Sequence, residues 1–172
     1  MKAKSITGAS TAEVQSALQE CLADGFKPTV AIVFISIKQD RKAVVELLHQ
    51  QGIDILGATS CGEFINGHQT EGETAILFLD LSRDTYTILF KEIGNESIED
   101  AAAQLGQYAL QQLKDPSLII CCTGMTMKGD YFNGESLVKS IEKTIGPDKM
   151  FFGGMAGDDM TFTGTYFFTN GK

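Results

Sequence analysis

Val30-Ala-Ile-Val-Phe-Ile-Ser36 is a continuous apolar run rich in β-branched residues. Such a run predicts a strand that is buried on both faces, as in the sheets of α/β proteins. A helix is predicted on each side of this run, from apolar residues at helical spacing. Ser10 and Glu13 form a capping box at the start of the helix before it, and Asp40 caps the helix after it. The order of helix, buried strand and helix therefore predicts an α/β fold.

Further strands are predicted after the helix that Asp40 caps. They cover Ile53 to Ala58, Glu73 to Leu81 and Tyr86 to Ile93. Ser82-Arg83-Asp84 has the composition of a hairpin turn between the last two strands.

The second half repeats this organisation. Ser97 caps a helix, Leu118 to Cys122 is a second buried strand, and Gly134 to Ile145 is a helix closed by Gly-Pro. Short strands are predicted at Met150 to Gly153 and Thr165 to Thr169. We predict one α/β domain over residues 1–172, made by internal duplication of two similar βαβαββ halves, 1–85 and 86–172, with mixed sheets flanked by helices. The other interpretation is the alternation common to all α/β chains.

Composition excludes several classes of protein. The chain has 172 residues and a formal charge of -8, which argues against a nucleic-acid partner because phosphate binding requires a basic surface. No apolar run approaches the ~20 residues that cross a bilayer, and no secretory signal follows Met1, so we expect no membrane association. No C-x-x-C pair is present, and we expect free thiols in a reducing cytosol at Cys21, Cys61, Cys121 and Cys122.

Two Gly-rich turns are candidate binding segments. Gly57-Ala-Thr-Ser-Cys-Gly-Glu63 presents Ser60, Cys61, Gly62 and Glu63 after a strand. The second turn, Phe152-Gly-Gly-Met-Ala-Gly-Asp-Asp159, is neither a Walker loop nor a dinucleotide fingerprint, and its carboxylates suit an amino group or hydroxyls better than a phosphate. Its candidate residues are Gly153, Gly154, Gly157 and Asp158. Packed structural turns are the alternative for both segments.

A third candidate is the loop after the buried strand of the second half, Thr123 to Asp130, for which an ordinary surface loop is the alternative. Loops at the carboxyl ends of strands form the ligand crevice of open α/β sheets. We expect the three segments to converge on a small polar ligand. Glu63, Asp158 and Asp130 would take an amino group or hydroxyls, whereas Ser60, Thr123 and backbone N–H groups, Gly124 among them, would hold a carboxylate.

Two other classes of function stay open. Cys61 is a candidate nucleophile with Asp158 or Glu63 as acid or base, although no His lies near it in sequence and no nucleophile elbow is present. His68 is a candidate axial ligand of haem, although a lone loop His is usually a solvated turn residue. No metal site is expected, because no set of residues has ligand spacing.

These motifs, in this order, resemble the N-terminal domain of the FIST family, named for F-box and intracellular signal transduction proteins. The resemblance covers most of the chain from about residue 28 onward. The stretches that carry it are Val30 to Ser36, Ile55 to Glu63, Ala75 to Leu79, Phe152 to Asp158, Phe162 and Tyr166 to Gly171.

The resemblance implies a cytoplasmic ligand-sensing module without catalysis of its own, binding small molecules such as amino acids. Haem that senses nitric oxide is the alternative cofactor, and otherwise none is expected. The implied partners are a FIST C-terminal domain and a signalling output such as a histidine kinase, diguanylate cyclase or chemoreceptor. The chain departs from the family by ending shortly after Asn170, where we expect further strands, and by having Ser60-Cys61 where members often have Ser-Thr.

Overall fold

The computed structural model describes residues 1–171, which form a mixed α/β structure. The elements are β1 (Lys2–Gly8), α1 (Thr11–Leu22), β2 (Val30–Ser36), α2 (Arg41–Gln50), β3 (Asp54–Ser60), β4 (Glu63–Ile65), β5 (His68–Thr70), β6 (Thr74–Asp80), α3 (Ile98–Gln112), β7 (Leu118–Cys122), α4 (Gly134–Ile145), β8 (Phe151–Met155) and β9 (Phe167–Phe168). A five-stranded mixed sheet has the order β1-β6-β2-β3-β9, and two-stranded sheets are formed by β4 with β5 and by β7 with β8.

The apolar run Val30–Ser36 is the central strand of the large sheet, as its composition predicts. It pairs in parallel with β3 and antiparallel with β6. Ala31, Val33 and Ile35 belong to the main core together with residues of α1 and α2. Burying a valine or isoleucine side chain stabilises the fold by about 1.5–3 kcal/mol. The helical contribution to this core comes from Val14, Leu18, Cys21, Val44 and Leu48.

The predicted helix caps are confirmed. Ser10 accepts a hydrogen bond from the N–H of Glu13, Asp40 from Ala43, and Ser97 from Asp100. Each cap satisfies a backbone donor that the helix leaves unpaired, a contribution of about 1 kcal/mol.

A smaller core lies between the helices α3 and α4 and the β7–β8 sheet. The two helices pack closely, since a Cβ added at Gly106 would lie 2.9 Å from the Cβ of Thr144. The buried members of this core are Ala102, Cys122, Leu137, Ile141 and Ile145.

The strand predicted at Tyr86 to Ile93 is wrong. The turn before it forms, because the N–H of Thr85 donates to the carbonyl of Ser82 at 2.9 Å, but residues 86–93 then form no strand. The hydroxyl of Tyr86 instead donates to the carboxylate of Asp54, which holds this segment against the start of β3.

Strands β1, β4 and β5 are not predicted by the sequence. β1 has only one large apolar residue that becomes buried, Ile6, and the hairpin strands have three residues each. The second half keeps the order helix, strand, helix, strand found from α1 to β3, but it lacks a strand at 86–93. Internal duplication into two βαβαββ halves therefore stays a prediction.

Candidate functional site

The two Gly-rich turns meet in the folded chain. The N–H of Gly157 donates to the carbonyl of Thr59 at 2.8 Å, and the N–H of Asp159 donates to the carbonyl of Ser60 at 3.2 Å. The N–H of Asp158 donates to the Sγ of Cys61 at 3.3 Å. The approach requires glycine at position 157, since an added Cβ would lie 2.5 Å from the Cys61 Sγ. At this point the turns touch directly and leave no room for a ligand between them.

The carboxylate of Glu63 is bound by one donor from its own turn and by one from a later segment. The residue is 2% exposed, and its Oε1 accepts a hydrogen bond from the hydroxyl of Ser60 at 2.5 Å. Its Oε2 accepts from the N–H of Glu73 at 3.1 Å. Gly62, at the bend between β3 and β4, has a φ of 102°, which suits glycine. Both oxygens of the predicted acidic ligand group thus already have protein donors.

Asp158 organises the loop that follows it. Its Oδ2 accepts from the N–H groups of Thr163 at 2.8 Å and Gly164 at 3.2 Å, and from the hydroxyl of Thr161 at 3.2 Å. Burial acts to raise the pKa of this carboxyl, but these donors outweigh it and the pKa of Asp158 is lowered. The carboxylate is therefore held in its charged form by the loop.

The third predicted segment reaches the second turn. The hydroxyl of Thr123 donates to the carbonyl of Met125 at 2.6 Å and lies 2.8 Å from the hydroxyl of Thr165. An added Cβ at Gly124 would lie 2.5 Å from the carbonyl oxygen of Ala156. Asp130 remains on the surface of this loop, away from these contacts.

Gly153 and Gly154 lie within β8 and not in a turn. Gly153 pairs with Ile120 of β7, and an added Cβ would lie 1.8 Å from the Ile120 carbonyl oxygen. Gly154 is exposed and has open space around it. Both glycines therefore belong to the small sheet of β7 and β8 and not to the turn that contacts Cys61.

All four cysteines are free, and Cys61 is the exposed one. Burial, with a smaller contribution from Cys122, raises the pKa of the Cys121 thiol to about 11. His68 is exposed on β5, and His49 lies 3.3 Å from the Asn170 amide. Among residues 1–171, no group of three or more His, Cys, Asp or Glu side chains is placed to hold a metal ion.

A cavity of about 270 Å³ lies beside the first turn, at the carboxyl ends of the parallel strands β2 and β3. Its position agrees with the rule that ligands of open α/β sheets bind outside the carboxyl ends of strands. Its walls come from the end of β2, the start of α2, the end of β3 and the segment just before β9. The lining residues are Ser36, Ile37, Gln39, Asp40, Arg41, Lys42, Thr59 and Tyr166.

Ser36, Arg41, Thr59 and Tyr166 were missed as candidate residues by sequence reasoning. Ser36 is detectable in principle, because it ends a buried strand in the same way as Cys122 ends the strand before the Thr123 loop. The juxtaposition of Arg41 with Tyr166 is not detectable, since nothing local connects two residues so distant in sequence.

A second cavity, of about 340 Å³, lies near the amino end of β3 and is lined by Asp54, Arg83 and Tyr86 among others. Its polar groups bind one another: Arg83 and the Tyr86 hydroxyl both donate to the Asp54 carboxylate, and Arg83 also donates to the carbonyl of Gly52 at 2.6 Å. The first cavity is therefore the better candidate for a ligand.

Fold and site together define a mixed α/β domain with a small polar cavity at the carboxyl edge of a parallel strand pair. The family model described as the FIST N domain matches residues 29–172, and the chain belongs to the FIST family. The FIST N domain is a sensory-type domain of signalling proteins. No curated protein and no solved structure matches the chain significantly.

Within the part of the chain that the structure describes, no helix has the length and apolar composition required to cross a membrane.

Proposed function

We propose that this chain is the cytoplasmic ligand-sensing module of a signal-transduction protein, and that it binds a small polar molecule, such as an amino acid, in the cavity at the ends of β2 and β3. Membership of a sensory-type family supports the class of function. The observation that carries the site is the cavity itself. Its volume, about 270 Å³, lies just below the roughly 300–1,000 Å³ that small-molecule sites usually have, which favours a ligand of few atoms.

The walls of the cavity come from segments distant in sequence. Residues 36–42 form one wall, and Thr59 and Tyr166 form the other. The segment with Tyr166 is attached to β3 because the N–H of Thr59 donates to the carbonyl of Tyr166 at 2.8 Å and the N–H of Tyr166 donates to the Thr59 hydroxyl at 3.0 Å. A ligand that contacts both walls would stabilise one arrangement of these segments, and differential affinity of this kind transmits a signal.

Signalling requires a partner that distinguishes the bound arrangement from the free one. We propose an output protein or domain such as a histidine kinase, a diguanylate cyclase or a chemoreceptor, together with a FIST C-terminal domain. The module would act by binding and not by catalysis of its own.

The proposal is tested by a thermal-shift screen of amino acids, small acids, amides and amines. A compound present at 100 times its Kd should add about 2.7 kcal/mol to the free energy of unfolding. Amide NMR of the protein with each compound that raises the Tm then locates the binding site. We expect shifts at residues 36–42, Thr59 and Tyr166.

The second cavity serves as the internal control. Shifts confined to Asp54, Arg83 and Tyr86 would move the site to that cavity and contradict the proposal. A screen in which no compound of any charge raises the Tm would contradict it as well.

A further inference from the structure

Arg41 differs from the other arginine of the chain in its partners. Its guanidinium carbon lies 4.2 Å from the centre of the Tyr166 ring and 5.7 Å from that of Phe168. Over residues 1–171 its side chain makes no hydrogen bond or ion pair with a protein group. Arg83, in contrast, donates to the carboxylate of Asp54 and the carbonyl of Gly52. The guanidinium of Arg41 thus lies within cation–π distance of two aromatic rings at the cavity, while its N–H donors stay unused.

Three of the other polar side chains around the cavity are already engaged. The Ser36 hydroxyl donates to Asp159 and the Thr59 hydroxyl to the carbonyl of Gly157, each at 2.5 Å. The side-chain amide of Gln39 donates to two carbonyl groups, at 2.8 Å and 2.6 Å. Among the lining side chains, recognition of a ligand acceptor is therefore left to the cationic groups of Arg41 and Lys42 and to the Tyr166 hydroxyl.

The charge of the lining is opposite to that of the whole chain. Arg41 and Lys42 line the cavity against one acid, Asp40, and the Oδ1 of Asp40 accepts from the N–H of Ala43. Lys38 nearby is matched by Asp159 at 3.6 Å. One net positive charge at the cavity of a chain with a formal charge of -8 favours an anionic ligand.

We propose that Arg41 binds the carboxylate group of a small ligand and is the specificity-determining residue of this cavity. The inference rests on the proposed function, whose ligand class it narrows to carboxylic acids. A planar guanidinium matches a planar carboxylate with two parallel hydrogen bonds. A single net positive charge balances a monocarboxylate better than it balances a phosphate dianion, and Tyr166, whose ring centre lies 4.2 Å from the guanidinium carbon, acts as the positioning residue.

The test compares acids with their neutral or cationic amides on the full chain. The probes are lactate and lactamide, succinate and succinamide, and L-alanine and L-alaninamide, with inorganic phosphate as a separate arm. Thermal shift and calorimetry are run on the wild type, Arg41→Gln, Arg41→Lys and the matched control Arg83→Gln.

We expect at least one acid to raise the Tm of the wild type and its amide to have no effect. Loss of a charge-assisted bidentate contact predicts a roughly 10- to 100-fold weaker Kd in Arg41→Gln. Arg41→Lys should recover part of that loss, because lysine keeps the positive charge but lacks the two parallel N–H donors. Arg83→Gln should bind the acid as tightly as the wild type does.

Each other outcome overturns the inference in a distinguishable way. If amides or amines bind and Arg41→Gln has no effect, the carboxylate assignment is wrong while the proposed function stands. If phosphate is the only probe that raises the Tm, the cavity binds a tetrahedral anion and the carboxylate assignment is wrong. If no compound of any charge binds, both proposals fail.

A second measurement needs no variant. Phenylglyoxal modifies arginine side chains, and peptide mass spectrometry follows Arg41 and Arg83 separately. We expect a bound acid to slow modification of Arg41 at least tenfold and to leave Arg83 unchanged. Equal rates at Arg41 with and without a bound acid would overturn the assignment.

Discussion

Thr59 and Gly157, 98 residues apart in the chain, bind each other in both directions. The Thr59 hydroxyl donates to the carbonyl of Gly157 at 2.5 Å, and the N–H of Gly157 donates to the carbonyl of Thr59 at 2.8 Å. The same hydroxyl oxygen accepts from the N–H of Tyr166 at 3.0 Å. One side chain that is 2% exposed thus joins the end of β3 to both ends of the loop that supplies Tyr166 to the cavity.

Thr59→Val tests this junction. Valine has the shape of threonine but leaves the Gly157 carbonyl and the Tyr166 N–H without their partner, so we expect a loss of about 1–3 kcal/mol in the free energy of unfolding, measured in urea. Thr59→Ser keeps the hydroxyl and is the matched control. Equal stability of the valine and serine variants would contradict the role of the hydroxyl.

Gly157→Ala tests the direct contact of the two turns. The added Cβ would lie 2.5 Å from the Cys61 Sγ and 2.9 Å from the Cys61 backbone nitrogen. We expect a loss of about 1–3 kcal/mol, which a second change, Cys61→Ala, does not fully recover because the backbone clash remains. Gly154→Ala, in open space, should leave the urea midpoint unchanged. Similar midpoints for the two single alanine variants would show that the turns do not touch as described.

Asp158→Asn tests whether the charged carboxylate of Asp158 stabilises the fold, through the pH dependence of the free energy of unfolding. The pKa of Asp158 in the folded chain is lowered below the unfolded value of about 3.9, so its carboxylate stabilises the fold above that pH and the contribution is lost as pH falls through the folded pKa. At pH 7 we expect the wild type to be about 1–3 kcal/mol more stable than the variant, with the gap narrowing towards pH 2.

The control for this pH series is Asp130→Asn. Asp130 is exposed in the Thr123 loop, and its carboxylate makes no hydrogen bond to the described residues, so we expect this variant to unfold at nearly the urea midpoint of the wild type. A gap between the wild type and Asp158→Asn that stays constant from pH 7 to pH 2 would contradict the assignment of charge to that carboxylate.

Local sequence patterns predict the elements that local interactions form. Val30–Ser36, Leu118–Cys122 and Gly134–Ile145 have the predicted bounds, because apolar runs and capping residues act over a few neighbours. The strand at Tyr86 to Ile93 is wrong because tertiary contacts override the pattern: the Phe90 ring lies 5.1 Å from that of Phe167.

The candidate site is predictable to a lesser extent. Glycines and polar residues at strand ends indicate which turns approach one another, and the turn with Cys61 does contact the turn with Gly157. Whether a polar side chain is already hydrogen-bonded within the protein depends on residues that are distant in sequence. Glu63 and Asp158 are therefore read as ligand groups from sequence, although the fold provides both with donors, while the uncommitted donors of Arg41 go unnoticed.

Alkylation by iodoacetamide tests the state of the thiols and the cysteine alternative together. Burial raises the pKa of Cys121 to about 11, and burial also raises the pKa of Cys122 and of Cys21. At pH 8 the thiolate fraction of Cys121 is then on the order of one in a thousand, whereas Cys61 is exposed. We expect Cys61 to be alkylated first in the folded chain, as followed by peptide mass spectrometry, and all four cysteines to react at similar rates in urea.

The rate at Cys61 itself decides whether this thiol is activated. Within residues 1–171, the hydrogen bond of the Cys61 Sγ comes from the N–H of Asp158 and no His or cationic side chain bonds to it, so we expect folding to accelerate its alkylation by no more than a fewfold. Cys61→Ser identifies the labelled peptide and serves as the blank. Alkylation of Cys61 at least a hundred times faster in the folded chain than in urea would support a nucleophile in place of a binding module. Alkylation of Cys121 at the rate of Cys61 would show that β7 is not covered as the structure has it.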